Sequence, residues 1–293
     1  MKVLTTVVLS FAVLCSAAYA ATENRAAVKG ANWLLKGQPA GDGQGADTLV
    51  ALRASGKLSK AEAERRAAAL REGAAGYADT AGATGKTILG LVASRSGNPR
   101  CAGRIDLYDR LTGFGVNGRY GRSAWDQALG MIALRSLGTR PPGSTKRYLL
   151  STRGNGGWNF TLSRTGPDDV THTALAIMAL RAAGIKRSNP GLRAGLKWML
   201  AQRTVAGGFG HERKDRNEAN ATALAIEAQH STGRRDKRAE KALRALQRSD
   251  GAFQFTAVDS GSRGLATADA VVALSETHVP VVTRSKLPSR CAQ

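Results

Sequence analysis

Cysteine, aromatic residues and acid are all scarce in this chain, and each scarcity excludes something. Three Cys in 293 residues rule out a zinc ribbon or a disulfide-dense framework. No apolar run reaches the roughly 18 residues that a membrane span needs. Acidic side chains number 22 against 43 basic ones, so the formal net charge is +21. Such a charge attracts anionic partners at long range. The cations are spread along the chain, and thirty of them are Arg. High Arg with high Ala and Gly is also what a GC-rich coding sequence produces. With 42% apolar and 22% charged residues, the composition is globular and not disordered.

The first twenty residues, MKVLTTVVLSFAVLCSAAYA, read as an export signal. Lys2 supplies the positive start, and Val3 to Cys15 form a short apolar core. Ala18-Tyr19-Ala20 is an A-x-A site, with cleavage expected after Ala20. A lipid anchor on Cys15 would need a small residue before it, and Leu14 is not small. The expected location is therefore secreted, periplasmic or cell-envelope. In such a compartment Cys101 and Cys291 are candidates for one disulfide, pinning a 279–293 tail to the body. Two unpaired thiols are the alternative.

Internal repetition is the strongest signal. A-L-R-x-x-G occurs at 51–56, 133–138 and 179–184, with weaker copies ending at Gly97, Gly233 and His278. Each copy closes an apolar helix-like segment such as Thr173 to Leu180, and the Gly suits a left-handed C-cap. A more amphipathic helix precedes it, as in Ala61 to Arg71, Leu192 to Gln202 and Lys237 to Gln247. The pattern predicts an all-α chain of six αα-hairpins, at about 25–56, 57–97, 98–138, 139–184, 185–233 and 234–278. Six hairpins can stack as an open solenoid or close as a ring. Sparse polarity on the inner helices and the lack of a polar cap repeat favour the ring.

The turns within the hairpins carry a second motif. Gln247-Arg-Ser-Asp-Gly-Ala-Phe253, Gln202-Arg-Thr-Val-Ala-Gly-Gly-Phe209 and Gly154-Asn-Gly-Gly-Trp158 lie in phase with the repeats. They resemble the QW motifs of the terpenoid cyclase and protein prenyltransferase superfamily, as do Thr173-Ala-Leu and Thr222-Ala-Leu after them. The resemblance covers about residues 25–278 and implies a single α6/α6 toroid. Its Gln and aromatic positions imply stitching between neighbouring hairpins.

The family's chemistries find little support in the residues. Cyclases of the protonating type use D-x-D-D-T-A, and the matching stretch reads Asp169-Val-Thr171-His172-Thr-Ala. The column of the acid holds Gly43, Thr84, Trp125, Thr171, Asn220 and Leu265. The D-x-C pair that places zinc in prenyltransferases is absent, so neither metal nor other cofactor is expected. The thioester string G-C-G-E-Q is also absent. A cobalamin carrier would need a second domain for which no chain remains.

The expectation is a binding protein holding an apolar or amphipathic small molecule in a central cavity. Trp125, Asp126, Asp168, Thr171 and Asn220 are the candidate contacts. An enzyme of prenyl, terpenoid or glycan-acting type is the alternative. Its acid–base candidates are Asp169, His172 and His211, with Glu218 nearby and Arg213 and Arg216 beside His211. A third reading is a cell-envelope protein that meets an anionic cell-wall polymer or acidic glycan through its basic surface. No stacking motif or recognition helix points to specific nucleic-acid binding.

Overall fold

The computed structural model describes residues 25–210 and 216–291. The expected export segment 1–20, with Cys15, and the candidates His211 and Arg213 lie outside them. The described chain is mostly helical. After a helical stretch at 25–35 (α1) come α2 (Gly43–Ala54), α3 (Lys60–Tyr77), α4 (Ala81–Ser94), α5 (Leu107–Gly113), α6 (Ala124–Ser136) and α7 (Gly143–Ser151). They are followed by α8 (Val170–Ala182), α9 (Pro190–Ala201), α10 (Ala219–Ser231), α11 (Lys237–Arg244) and α12 (Arg263–Leu274).

The even-numbered helices are the apolar ones, and they pack on one another in order. α2 meets α4, α4 meets α6, and so on to α12, which packs against α2. The first four of them start at side-chain caps: Asp42, Thr80, Ser123 and Asp169 each accept a backbone N–H of the first turn. Their ends use the left-handed backbone that glycine allows. Gly56, Gly138, Gly184 and Gly233 have φ of 71°, 86°, 81° and 73°. Two ends differ from the expectation, for Arg95 and Glu276 take that role after α4 and α12, at φ 56° and 57°. Gly97 and His278 lie just beyond.

In each of the last three repeats one threonine ties turn to inner helix. Thr173 Oγ1 accepts the N–H of Trp158, Thr222 that of Phe209, and Thr267 that of Phe253, each at 2.9 Å. All six residues are fully buried. The aromatic ring then fills a gap that only glycine leaves. A Cβ on Gly195 of α9 would lie 2.4 Å from the Trp158 ring. A Cβ on Gly30 of α1 would be 2.6 Å from Val271 and 3.4 Å from the Phe253 ring. Gln247 of the last repeat donates to the Ala26 carbonyl of the first at 2.9 Å.

The third repeat departs from the helical expectation. Around the short α5 sit two antiparallel hairpins, β1 (Cys101–Ala102) with β2 (Ile105–Asp106), and β3 (Gly115–Val116) with β4 (Arg119–Tyr120). The second turns through Asn117-Gly118, both at positive φ, as a two-residue hairpin requires.

The segment after α12 has no regular structure and crosses the C-terminal ends of other helices. Thr277 O meets His230 Nδ1 at 3.0 Å, and Arg284 N donates to Ser136 O at 2.9 Å. Asn98 Nδ2 donates to Ser289 O at 2.9 Å. The segment ends in a disulfide from Cys291 to Cys101, with Cα atoms 5.6 Å apart.

Thr222→Val keeps the side-chain shape but leaves the Phe209 N–H unpaired in a dry site. It is expected to cost about 1–3 kcal/mol in urea unfolding, with Thr222→Ser retaining most of the stability. Equal stability of the valine and serine variants would show that the stitch contributes nothing.

Candidate functional site

An apolar helix tolerates a charge only where something compensates the lost hydration. Several even-numbered helices nonetheless carry one: Asp47 on α2, Lys86 on α4, Glu227 on α10 and Asp269 on α12. The fold brings all four to the wall of one enclosed cavity. Every even-numbered helix contributes to that wall. Val50, Leu89, Leu129, Leu175, Leu224 and Val272 supply its apolar part. Trp125 also lines it, and Val279 from the crossing segment is the remaining contributor outside the helices.

The enclosed space is about 50 Å³. That is room for a few water molecules, or for a small polar group, and too little for a whole terpenoid-sized body.

Three carboxyls surround one ammonium here. Lys86 Nζ lies 2.5 Å from Asp47 Oδ2 and 5.8 Å from the Trp125 ring centre. Burial works to lower the Lys86 pKa, but Asp47 outweighs it and holds the ammonium above its usual range. Asn220 Nδ2 donates to Asp269 Oδ2 at 2.7 Å. Burial, and then the nearby Asp47, nevertheless push the Asp269 carboxyl up to about 7. Burial also raises Glu227 well above the ordinary carboxylate range, and Asp269 adds to it. The Val279 N–H donates to Glu227 Oε2 at 3.1 Å. Protons on Glu227 and Asp269 thus relieve the excess of negative charge.

A second group sits where α6 and α8 begin. Trp125 meets His172 edge-on, with ring centres 6.1 Å apart, and Phe160 meets the same imidazole at 5.4 Å. His172 Nδ1 lies 2.6 Å from Asp169 Oδ2. That carboxylate selects the Nδ1–H tautomer of the neutral ring, leaving Nε2 as an acceptor. Nε2 is buried and has no partner among the described residues. Phe160 is 53% exposed beside it.

Two of the remaining candidates hold backbone. Asp126 forms a capping box with Ser123 and accepts the Gly82 N–H at 2.9 Å, joining α6 to α4. Asp168 accepts the N–H groups of Gly156 and Gly157 at 3.0 and 2.9 Å. Thr171 is half-buried in the first turn of α8 and does not line the cavity. Glu218 occupies the N-cap position of α10. Among the described residues no three His, Cys, Asp or Glu are grouped to hold a metal ion. Asp47, Lys86, Glu227 and Asp269 were not among the candidates read from the sequence. Their signal was there, as solitary charges inside apolar segments such as Leu224-Ala-Ile-Glu227-Ala.

No protein-family model matches this chain, and no curated protein matches it in sequence.

A carboxyl with a raised pKa takes up a proton on folding, so stability is fully present below the unfolded value and declines as pH rises through the folded one. Unfolding free energy is expected to fall between about pH 4 and about pH 7, at up to about 1.4 kcal/mol per pH unit for each such group. Asp269→Asn should flatten this decline in urea titrations across that range. A profile parallel to wild type would mean that Asp269 is ionised in the native state.

Proposed function

We propose that this is an exported protein whose six hairpins close into an α/α toroid of the terpenoid cyclase and prenyltransferase type, and that it binds a small amphipathic molecule. The packing of α12 on α2, the Gln247–Ala26 bond and the threonine stitches in phase support the ring. The binding place is the entrance formed by Trp125, Phe160 and His172. The observation that carries this reading is the partnerless His172 Nε2, a buried acceptor flanked by two aromatic rings. An unpaired buried acceptor costs about 1–3 kcal/mol, which a ligand hydroxyl or N–H would recover. The apolar body of the ligand lies along Trp125 and Phe160. The cavity beyond takes no more than a small polar head. Neither alkene protonation at the family's acid column nor zinc chemistry is part of this reading.

The Asp169–His172 pair favours one further reading. An imidazole oriented by a carboxylate, with its second nitrogen free, is the arrangement of a general base. Turnover of the bound molecule would then need the same His172.

Farnesol, a hydroxylated isoprenoid, serves as the probe. It is expected to quench Trp125 fluorescence, a signal absent in Trp125→Phe. His172→Phe keeps the ring volume and removes the acceptor, and should weaken binding about tenfold, the equivalent of one buried hydrogen bond. Equal affinity in His172→Phe would sink this placement. Absence of farnesol binding, together with no adduct in native mass spectra of protein taken from its own host, would sink the binding reading.

A further inference from the structure

A larger depression lies on the outer side of the molecule, away from the Trp125 entrance. Its volume is about 660 Å³. One bank follows α9 from Pro190 to Leu200, a span of about 15 Å at the helical rise. The turn after α10 forms the other bank. Arg187, Arg193, Lys197 and Arg234 line it, and no acidic residue does. None of the four is paired with a carboxylate among the described residues. Some arginines elsewhere do have a carboxylate partner, as in Arg66 with Glu62, Arg100 with Asp106 and Arg203 with Asp236. Four unopposed cations around one groove repel each other, and an anion between them relieves that repulsion. Leu200, half-buried, supplies an aliphatic patch between the charges.

We propose that this groove binds a linear acidic polysaccharide. Its carboxylates or sulfates pair with the guanidinium groups, which hold such anions in bidentate fashion. The C–H faces of its sugar rings lie over the half-buried Leu200. Arg193 and Lys197 lie one turn apart on α9, and Arg187 and Arg234 lie in the turns before α9 and after α10, so the cations come from several places along the groove and suit a repeating charge. A bilayer would need protruding apolar side chains. The exposed large ones, Val116, Phe160, Val205 and Val258, all lie outside the groove. Single-stranded nucleic acid would need an aromatic stacking surface, and no aromatic residue lines it. An amphipathic peptide helix would need deep apolar anchor points, but Leu192 and Leu196 are already covered to 1% and 7% exposure.

The test is calorimetric titration of the whole protein with polygalacturonate oligosaccharides and heparin fragments. Fully methyl-esterified polygalacturonate is the uncharged control. Arg187→Ala, Arg193→Ala, Lys197→Ala and Arg234→Ala together should weaken binding about tenfold or more, since charged hydrogen bonds are each worth about 1.5–3 kcal/mol. A control variant loses the same charge elsewhere, at the exposed Lys57, Lys60, Arg104 and Arg140, and should bind nearly as wild type. Should the quadruple groove variant not fold, the single reversals Arg193→Glu and Lys197→Glu take its place with the same expected direction. Equal losses in groove and control variants would overturn the proposal in favour of diffuse attraction by the net charge. So would binding of the esterified polymer, or binding confined to anionic vesicles, oligonucleotide or acidic peptide.

Discussion

Everything at the centre of this molecule depends on a hydrogen bond made three times, from an aromatic residue's backbone N–H to a threonine hydroxyl on the neighbouring inner helix. The bond is short-range, but its effect reaches across hairpins. It fixes the turn that carries Trp158, Phe209 or Phe253. Two of those rings then lie over a glycine in the next outer helix, at Gly195 and Gly30. Both partners are fully buried, so water does not compete and the bond keeps its full strength. Around α8, α10 and α12 the packing of neighbouring hairpins rests on that local arrangement.

Helices held in this way bring together charges that the chain keeps far apart. Asp47 and Asp269 lie at opposite ends of the sequence, yet Asp47 raises the Asp269 pKa. The cavity wall thus carries three carboxyls for one lysine, while the whole chain has nearly twice as many basic as acidic residues. This inversion is costly unless two of the acids stay protonated. The same desolvation that raises Glu227 and Asp269 makes the cavity chemically unlike the surface around it. An entering polar group would meet carboxyls held toward the neutral form by burial, beside the Asp47–Lys86 pair.

Periodicity is legible in a sequence because it is local. The segment from Thr173 to Leu180 reads as a buried helix and lies within α8. The glycines at 56, 138, 184 and 233 read as left-handed caps and have that backbone. What requires the fold is less visible. Solitary charges at Asp47, Lys86, Glu227 and Asp269 each look like a surface position until four different repeats bring them to one wall. Asp126 and Asp168 look like free carboxylates near an entrance, and their oxygens are taken up by backbone N–H groups instead. The hairpins around α5 were within reach, because Asn117-Gly118 is a strong two-residue turn signal. The expectation of a helix at that point in every repeat outweighed it.

The segment after α12 determines which end of the cavity can open. It runs past the C-terminal ends of α10 and α6, and its Val279 forms part of the wall. The Glu227 carboxyl, raised by burial, accepts the Val279 N–H, so wall and segment share one polar contact. The disulfide then anchors the far end across a separation of 190 residues. A link over so long a loop removes chain entropy from the unfolded state worth about 5 kcal/mol in the simple loop-closure account. Displacing this segment would open buried Glu227 to water and strip Val279 from its packing. At the opposite end Trp125 lines the wall, and the half-exposed Phe160 beside His172 is joined to α6 by a backbone bond from Ala124 N to Phe160 O at 2.7 Å. Rotating two aromatic side chains costs far less than peeling off a cross-linked segment. On the proposed binding role, entry to the cavity is therefore past His172, at the end where the inner helices begin.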